Sequence, residues 1–451
     1  MVIFEFNDNN MKASGYNIVI EDTKINETII YNSLYGSMAT FDNVEFGTAK
    51  IILENPNVNN PEYLDIFNNL VSQKYIIEEE VDELSIIENR KKLGIKDKNR
   101  LDLIIMPTLD CNFSCIYCYE DKKPGKMSNE SMDAIKLWMS NEIPKFKLVL
   151  LSWFGGEPLL GMKTVEEITN HANEIANNNS VEIITHITTN GYSISKDIVD
   201  KLIGLKIFNY QITVDGVAET HNKLRPLRNG KGTFDKVFKN IILLVSENPL
   251  VKVTLRVNFN HTNFNTIPKL LEMFPEQLRC QLRLSLEPIF GSCEYNATDN
   301  IETDKISKIL SLYLKLASDM GYDITVGKSA VETGKLVYCY AERENQLIIN
   351  FNADVFKCSV YNFEPSNRVG YINKEGVLIK NQNRWDDWMN IPLFDSTCIS
   401  CKFLPLCMGG CRKTRIQNKD KGSACSLIPT NASYILKQIS YNEFGNLIIK
   451  E

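Results

Sequence analysis

The sequence lacks long hydrophobic runs, a surplus of positive charge and an abundance of histidine. No apolar stretch approaches the roughly 20 residues of a membrane-spanning helix, and the N-terminal residues lack the basic and apolar regions of a signal peptide. The net charge of −6 gives no support to a nucleic-acid binder. With only 4 histidines, a histidine-based metal site is not expected. These absences predict a cytoplasmic protein without a membrane or nucleic-acid partner.

Cysteine, in contrast, is frequent and clustered. Of the 12 cysteines, three lie within residues 111–118 and seven within residues 339–425, while Cys280 and Cys293 stand apart. In a reducing compartment, such clusters are typical of metal ligands or catalysts rather than of disulfides. The sequence therefore indicates two cysteine regions with metal chemistry.

Residues 1–95 have the pattern of a small separate domain, as expected for a chain long enough for about two or three folding units. Three short strands followed by two helices are predicted, at residues 16–20, 28–32, 37–41, 41–53 and 61–74. Asp42 is the expected N-cap of the first helix, and Pro61 starts the second. Residues 96–100 are polar and predict a linker.

From Leu101, strands alternate with helices. The strands are predicted at residues 101–109, 147–154, 181–188, 208–214, 251–259 and 282–289. The helices are predicted at residues 129–143, 163–178, 196–205, 233–246, 264–274 and 303–320. This alternation predicts an α/β fold over residues 101–325, a TIM-like partial (β/α)6 barrel with its working residues at the C-terminal strand ends. From about Tyr338 the periodicity fades, which predicts a region that cannot fold by apolar burial alone and is held by metal.

The first cysteine region directly follows the first barrel strand. Cys111, Cys115 and Cys118 supply three thiolates, whereas each of the four irons of a cubane cluster needs a terminal ligand, so one iron stays open. A zinc site or three packed cysteines without a metal are the alternatives, although zinc sites usually have paired Cys-x-x-Cys units. The loop resembles the signature of the radical S-adenosylmethionine (SAM) enzymes, including an aromatic residue, Tyr117, before the last cysteine. The resemblance implies a 4Fe–4S cluster that binds SAM.

Residues at the ends of the next strands also resemble those of radical SAM enzymes. Gly155, Gly156 and Glu157 are similar to the Gly-Gly-Glu-Pro element that receives the methionine amino group in this family, with Glu157 as an expected acceptor for the ammonium. Thr189 and Thr213, at the third and fourth strand ends, and Arg225 are the other expected cofactor contacts. Threonine is also common in strands, and an arginine can be a plain surface charge.

The second cysteine region, residues 335–430, resembles the SPASM extension of peptide-modifying radical SAM enzymes, which holds two auxiliary 4Fe–4S clusters. The resemblance assigns the first cluster to Cys339, Cys358 and Cys411. It assigns the second to Cys398, Cys401, Cys407 and Cys425. Ala353 stands where the family usually has glycine, and the first set has no fourth thiolate, so either an iron stays open or Cys280, Cys293 or another group closes it. A pair of structural zinc sites is the alternative.

The N-terminal residues 1–95 resemble a winged-helix-like domain that recognises leader peptides, although a packing domain without a ligand is an alternative. Residues 431–451 form a tail. Together the resemblances imply an enzyme that forms thioether crosslinks in a ribosomally made precursor peptide, as in sactipeptide and ranthipeptide maturation, with a flavodoxin or ferredoxin as electron donor. The alternatives are a carbon–carbon crosslinking enzyme, a sulfatase-maturase-like oxidation, and a metal-stapled peptide binder without catalysis.

Overall fold

The computed structural model describes residues 10–22, 27–120, 122–289, 303–325, 331–360, 362–417, 436, 439–441 and 447–449. The chain divides into two compact units. One comprises Met1–Ile95, Lys328–Cys339 and Pro392–Glu451, and the other comprises Lys96–Gly327 and Tyr340–Ile391. This division differs from the expected boundaries after residues 95, 325 and 430, because residues 340–391 cluster with the barrel. In the described part of the chain, no helix is both long and apolar enough to cross a membrane.

The N-terminal part of the first unit contains five strands and three helices. They are β1 (Met11–Ala13), β2 (Asn17–Asp22), β3 (Glu27–Asn32), β4 (Met38–Phe41), α1 (Asn43–Glu54), α2 (Leu64–Ser72), β5 (Ile76–Glu78) and α3 (Glu83–Ile95). Strands β2, β3 and β4 form an antiparallel sheet with β3 in the middle, and β1 pairs with β5. The three predicted strands are confirmed, and Asp42 caps α1 by accepting the N–H groups of Val44 and Glu45.

The second unit contains the predicted alternation of strands and helices. Its elements are β6 (Arg100–Ile105), α4 (Asn129–Glu142), β7 (Leu148–Trp153), α5 (Met162–Asn178), β8 (Glu182–Thr189), α6 (Lys196–Gly204), β9 (Ile207–Thr213), α7 (Ala218–Leu224), α8 (Phe234–Glu247), β10 (Lys252–Phe259), α9 (Ile267–Met273), β11 (Leu282–Pro288) and α10 (Thr303–Asp319). Strands β6 to β11 are parallel and adjacent in chain order. On β7, Val149, Leu151 and Trp153 are fully buried, while Leu150 and Ser152 on the opposite face are half-buried. This α/β architecture with a large, mostly parallel sheet agrees with the expected barrel.

The sheet continues beyond the predicted barrel. It is extended by β12 (Gln346–Ile349), β13 (Asp354–Phe356), β14 (Gly370–Ile372) and β15 (Leu378–Lys380), which are followed by α11 (Gln382–Met389). Strand β12 pairs in parallel with β6, and the other three are antiparallel, so the sheet has ten strands. Leu347, Ile348, Ile349 and Val355 are buried. These four strands were not predicted from the sequence, because strands of three or four residues are too short to show a clear period. Apolar burial thus contributes to this part of the chain, and the expectation that metal is also needed to hold it stays a prediction.

The C-terminal part of the first unit contains only short elements in its described residues. They are α12 (Ser396–Ile399), α13 (Leu404–Cys407), α14 (Arg412–Gln417), β16 (Ile439–Tyr441) and β17 (Leu447–Ile449). Leu404 and Met408 share a core with Tyr16 and Ile87 from the N-terminal part. The fully buried ammonium of Lys91 donates a hydrogen bond of 2.5 Å to the Met408 carbonyl oxygen. Helix α3 is thus anchored to the loop that follows Cys407.

Candidate active site

A cavity of about 270 Å³ lies within the second unit, where strands β6 to β10 end. Its lining contains the expected residues Cys111, Cys115, Tyr117, Cys118, Gly155, Gly156, Thr189, Thr213 and Arg225. Residues 110–118, here called the cysteine loop, leave β6 and reach the ends of the neighbouring strands. The structure therefore gathers residues that are up to 114 positions apart in sequence, from Cys111 to Arg225.

The cysteine loop is fixed by its backbone. Ser114 N–H donates to the Pro226 carbonyl at 2.8 Å, and Ile116 N–H donates to the Leu224 carbonyl at 3.1 Å. Phe113 is fully buried and stacks edge-on against Tyr192 with a ring-centroid distance of 5.7 Å. Backbone hydrogen bonds and the packing of Phe113 therefore hold the loop that presents the three thiols.

Tyr117 is tied to the strands by a buried polar network. Its hydroxyl donates to Asp215 and accepts hydrogen bonds from Arg225 Nη1 at 2.8 Å and Asn258 Nδ2 at 3.1 Å. Asp215 is fully buried, and its second oxygen accepts the Asn258 N–H at 2.8 Å. Burial raises the pKa of Asp215, and the guanidinium of Arg225 opposes that shift. Arg225 is only 8% exposed, so its charge is largely committed to this network.

The two glycines make room for protein backbone. A methyl group on Gly156 would lie 2.5 Å from the carbonyl oxygen of Leu109 and would also overlap that of Asp110. Gly155 has a positive φ of 111° and abuts the Thr108 carbonyl oxygen. The sequence assigned these glycines to close approach of a ligand, but the structure places the start of the cysteine loop against them.

Glu157 braces the strand ends and does not line the cavity. Its carboxylate accepts hydrogen bonds from the Thr189 hydroxyl at 2.6 Å, the Asn190 N–H at 2.7 Å and the Leu159 N–H at 3.0 Å. Burial raises its pKa, and these donors oppose the shift. At 1% exposure the side chain lies behind the loop, so the expected contact with an ammonium has no support in this geometry.

Three charged residues of the cavity, Glu120, Lys122 and Arg256, were not identified from the sequence. Glu120 lies two residues beyond the last motif cysteine, and one of its oxygens is buried without a hydrogen-bond partner. Burial raises the pKa of Glu120 to about 7, and Lys122 opposes the shift. Arg256 lies inside strand β10, where it alternates with the buried Leu255 and Val257. A charged residue within a predicted barrel strand was the available signal for Arg256.

The three motif cysteines supply the donor type that iron–sulfur clusters use. Their thiols line one cavity, and cysteine thiolates are the usual protein ligands of such clusters. The described residues contain no group of three histidine, cysteine, aspartate or glutamate side chains arranged to hold one metal ion. Burial raises the pKa of Cys111 to about 12, and a positive group beside the sulfur would stabilise its thiolate.

The C-terminal cysteines are distributed over both units. The first unit contains Cys339, Cys411, Cys398, Cys401 and Cys407. Cys398 lies in α12, Cys407 ends α13, and Cys401 lies between these two helices. Cys358 belongs to the second unit. Cys425 and Cys293 lie outside the described residues, and Cys280 is exposed. The expected pairing of these cysteines into two auxiliary clusters stays a prediction.

Ala353 adopts the conformation for which glycine is usual. Its φ is 63°, in the turn that joins β12 to β13. Ala353 N–H donates to the Asn350 carbonyl, and Asn350 N–H donates to the Asp354 carbonyl, both at 2.9 Å. The glycine-type turn is thus kept despite the departure from the family pattern, at a cost in backbone strain.

Comparison with known proteins points to one superfamily. Residues 105–274 match the family model of the radical SAM superfamily. The cysteine-type anaerobic sulfatase-maturating enzyme of Clostridium novyi is 25% identical over 76% of this chain and 99% of its own length. The radical SAM cyclopropyl synthase TigE of Paramaledivibacter caminithermalis is 22% identical over 88% of this chain and 90% of its own length.

Solved structures give the same fold. Native anSMEcpe with bound AdoMet and Cp18Cys peptide superimposes with a TM-score of 0.59 at 20% identity, covering 75% of this chain and 96% of that chain. Streptococcus suis SuiB bound to precursor peptide SuiA superimposes with a TM-score of 0.54 at 15% identity, covering 93% of this chain and 100% of that chain. At these identities the likeness concerns the fold alone.

Proposed function

We propose that this chain, a radical SAM superfamily enzyme through residues 105–274, modifies a ribosomally made precursor peptide by forming thioether crosslinks from cysteine sulfur to carbon. The observation that carries the proposal is the single cavity lined by all three motif thiols and by Gly155 and Gly156. Cys111, Cys115 and Cys118 would hold a 4Fe–4S cluster, and SAM bound there would supply the radical chemistry for removing hydrogen from a substrate carbon.

The residues of this chain position the reactants. The Tyr117 hydroxyl fixes the cysteine loop to β9 and β10 through Asp215 and Asn258. Glu157 holds the ends of β7 and β8 together through Thr189 and Asn190. Phe154 and Ile289 give the cavity apolar walls that limit water near a reactive carbon.

Two observations support a peptide substrate that carries cysteine. The first unit presents the edges of a three-stranded sheet, β2 and β4, to which an extended leader can pair. The second is that the family resemblance assigns only Cys339, Cys358 and Cys411 to the first auxiliary cluster, one thiolate short of a full ligand set, and an open iron there would bind a substrate sulfur. Three 4Fe–4S clusters and an external electron donor of the flavodoxin or ferredoxin type belong to this proposal.

A carbon–carbon bond-forming reaction is the second candidate. The cyclopropyl synthase aligns with 88% of this chain, including N-terminal residues, whereas the sulfatase-maturating enzyme of Clostridium novyi aligns with 76%. In this reaction the auxiliary clusters would carry electrons and would bind no substrate sulfur.

The test is incubation of the reduced, fully iron-loaded enzyme with SAM and the small peptide encoded beside its gene. A crosslink appears as the loss of two hydrogens by mass spectrometry. Alkylation of free thiols before tandem mass spectrometry then separates the candidates, because a thioether blocks the substrate cysteine and a carbon–carbon bond leaves it free. An unchanged peptide mass, with deoxyadenosine still formed, contradicts both.

A further inference from the structure

The arginines of the second unit differ in how their charge is balanced. Arg100 pairs with Asp102 at 2.6 Å, Arg283 pairs with Asp323 at 3.1 Å, and Arg225 lies 3.9 Å from Asp215. Arg256 also lines the cavity, but its Nε donates to the neutral Oδ1 of Asn258 at 2.9 Å. Among the described residues, no carboxylate lies within 4.0 Å of its guanidinium.

Arg256 forms no ion pair with the described carboxylates around it, including that of Glu120, which lines the same cavity. Its neighbours on the adjacent strands are Thr213 on β9 and Ser285 on β11, both uncharged. Asp215 influences Arg256 electrostatically, yet its two oxygens are already bonded to Tyr117 and to the Asn258 N–H. A half-buried guanidinium without a counter-charge is costly, and its planar fork matches a carboxylate.

We propose that Arg256 is a substrate-binding residue that receives a carboxylate of the peptide, either an acidic side chain or the C-terminus. This inference rests on the proposed peptide substrate and adds a charge requirement to it. The apolar residues Phe154, Pro288 and Ile289 line the same cavity and leave Arg256 as its charged anchor on strand β10.

The carboxylate of SAM is the competing partner for Arg256. The family resemblance implies that the methionine end of SAM lies beside Gly155 and Gly156, which follow β7, whereas Arg256 lies on β10. Three strand spacings separate these strands, roughly 14 Å along the sheet. Because all three residues line the same cavity, the experiment measures the affinity for SAM separately from that for the peptide.

The experiment compares wild type with Arg256→Gln and Arg256→Lys, using the peptide encoded beside the gene. The matched control is Lys252→Gln, which removes a cation from the same strand at a position that does not line the cavity. Arg256→Gln is expected to raise KM for the peptide about 10-fold or more while the affinity for SAM changes much less. Lys252→Gln is expected to behave as wild type. Iron content and thermal unfolding show whether each variant is folded and loaded.

Changes in the peptide, combined with the change at Arg256, form a double-mutant cycle. Each acidic residue is replaced by its amide, and the C-terminus is amidated in turn. The change that removes the partner of Arg256 should weaken binding to wild type and have little further effect on Arg256→Gln. If Arg256→Gln loses as much affinity for SAM as for the peptide, or keeps the wild-type KM for the peptide, the role of Arg256 is contradicted. The proposed function is not affected by that result. If wild type leaves the peptide unmodified, the proposed function fails first.

Discussion

At the scale of single residues, the hydroxyl of Tyr117 makes three hydrogen bonds. It joins the cysteine loop to Asp215, Arg225 and Asn258 at one oxygen atom. The motif alone suggested an aromatic ring beside the cofactor. The structure adds that the phenol oxygen, not only the ring, fixes the loop.

Tyr117→Phe should therefore weaken the docking of the cysteine loop by about 1–3 kcal/mol, because a buried carboxylate and guanidinium lose a shared partner. We expect fewer irons retained after reconstitution, a changed electron paramagnetic resonance signal of the reduced cluster and slower deoxyadenosine formation. Tyr192→Phe is the matched control, since its ring packs on Phe113 of the same loop and only the hydroxyl is lost. Equal iron content and spectra in both variants would contradict the assigned role.

Ala353 provides a second prediction at this scale. Ala353→Gly should raise the stability of the protein by about 1 kcal/mol, because glycine adopts a positive φ without strain. Ala49→Gly, at a fully buried position within α1, should lower the stability by about as much. Thermal unfolding of the anaerobic protein measures both changes. A lower melting temperature for Ala353→Gly would show that the lost methyl contacts outweigh the strain.

At the scale of elements, the long periodic segments were predictable and the short ones were not. The six barrel strands alternate with helices whose apolar residues recur regularly, so local pattern and tertiary burial agree. Strands β1 and β12 to β15 have three or four residues each, and their pairing depends on contacts distant in sequence. Helix α7, with seven residues, was missed for the same reason.

Some residues of the candidate site were predictable from the sequence, and others were not. The motif identified the three cysteines and Tyr117, because their spacing carries the signal. The separate roles of Glu157 and Arg225 as internal supports could not be read from the sequence, because they depend on which way a side chain faces. Arg256 and Glu120 belong to the cavity through the fold alone.

The junction of β7 with the cysteine loop gives a prediction about elements. Gly156→Ala should displace the start of the loop, because the added methyl group would overlap the backbone carbonyls of Leu109 and Asp110. Loss of cluster iron and of SAM cleavage is expected, by about 10-fold or more for a displacement of about 1 Å. Gly204→Ala is the control, since a methyl group at Gly204 meets no atom within 4 Å. Full iron content in Gly156→Ala would show that the loop can move aside.

At the scale of the whole molecule, buried neutral histidines make stability depend on pH. Burial lowers the pKa of His221 to about 3 and that of His186 to about 4. His221 accepts the Asp215 N–H through Nδ1 and bonds the Thr233 hydroxyl through Nε2, which suits a neutral ring. An unfolded histidine titrates near about 6.5, so below that pH the unfolded state binds more protons.

The free energy of unfolding should therefore be independent of these histidines above about pH 6.5. It should fall toward pH 4 by about 1.4 kcal/mol per pH unit for each histidine. Urea unfolding at a series of pH values measures the slope. His186→Gln removes one of the two groups and should flatten the dependence by its share. An unchanged slope in that variant would place the titrating groups elsewhere.

The carboxylate of Glu157 accepts three hydrogen bonds from protein donors, and these bonds brace the ends of β7 and β8 at the floor of the cavity. A ligand that enters gives up its own freedom but need not order the ends of β7 and β8. Calorimetry on the cluster-loaded protein should accordingly record only a modest entropic penalty. Selection between similar small molecules would then depend on shape, since a rigid floor does not adjust to a poor fit.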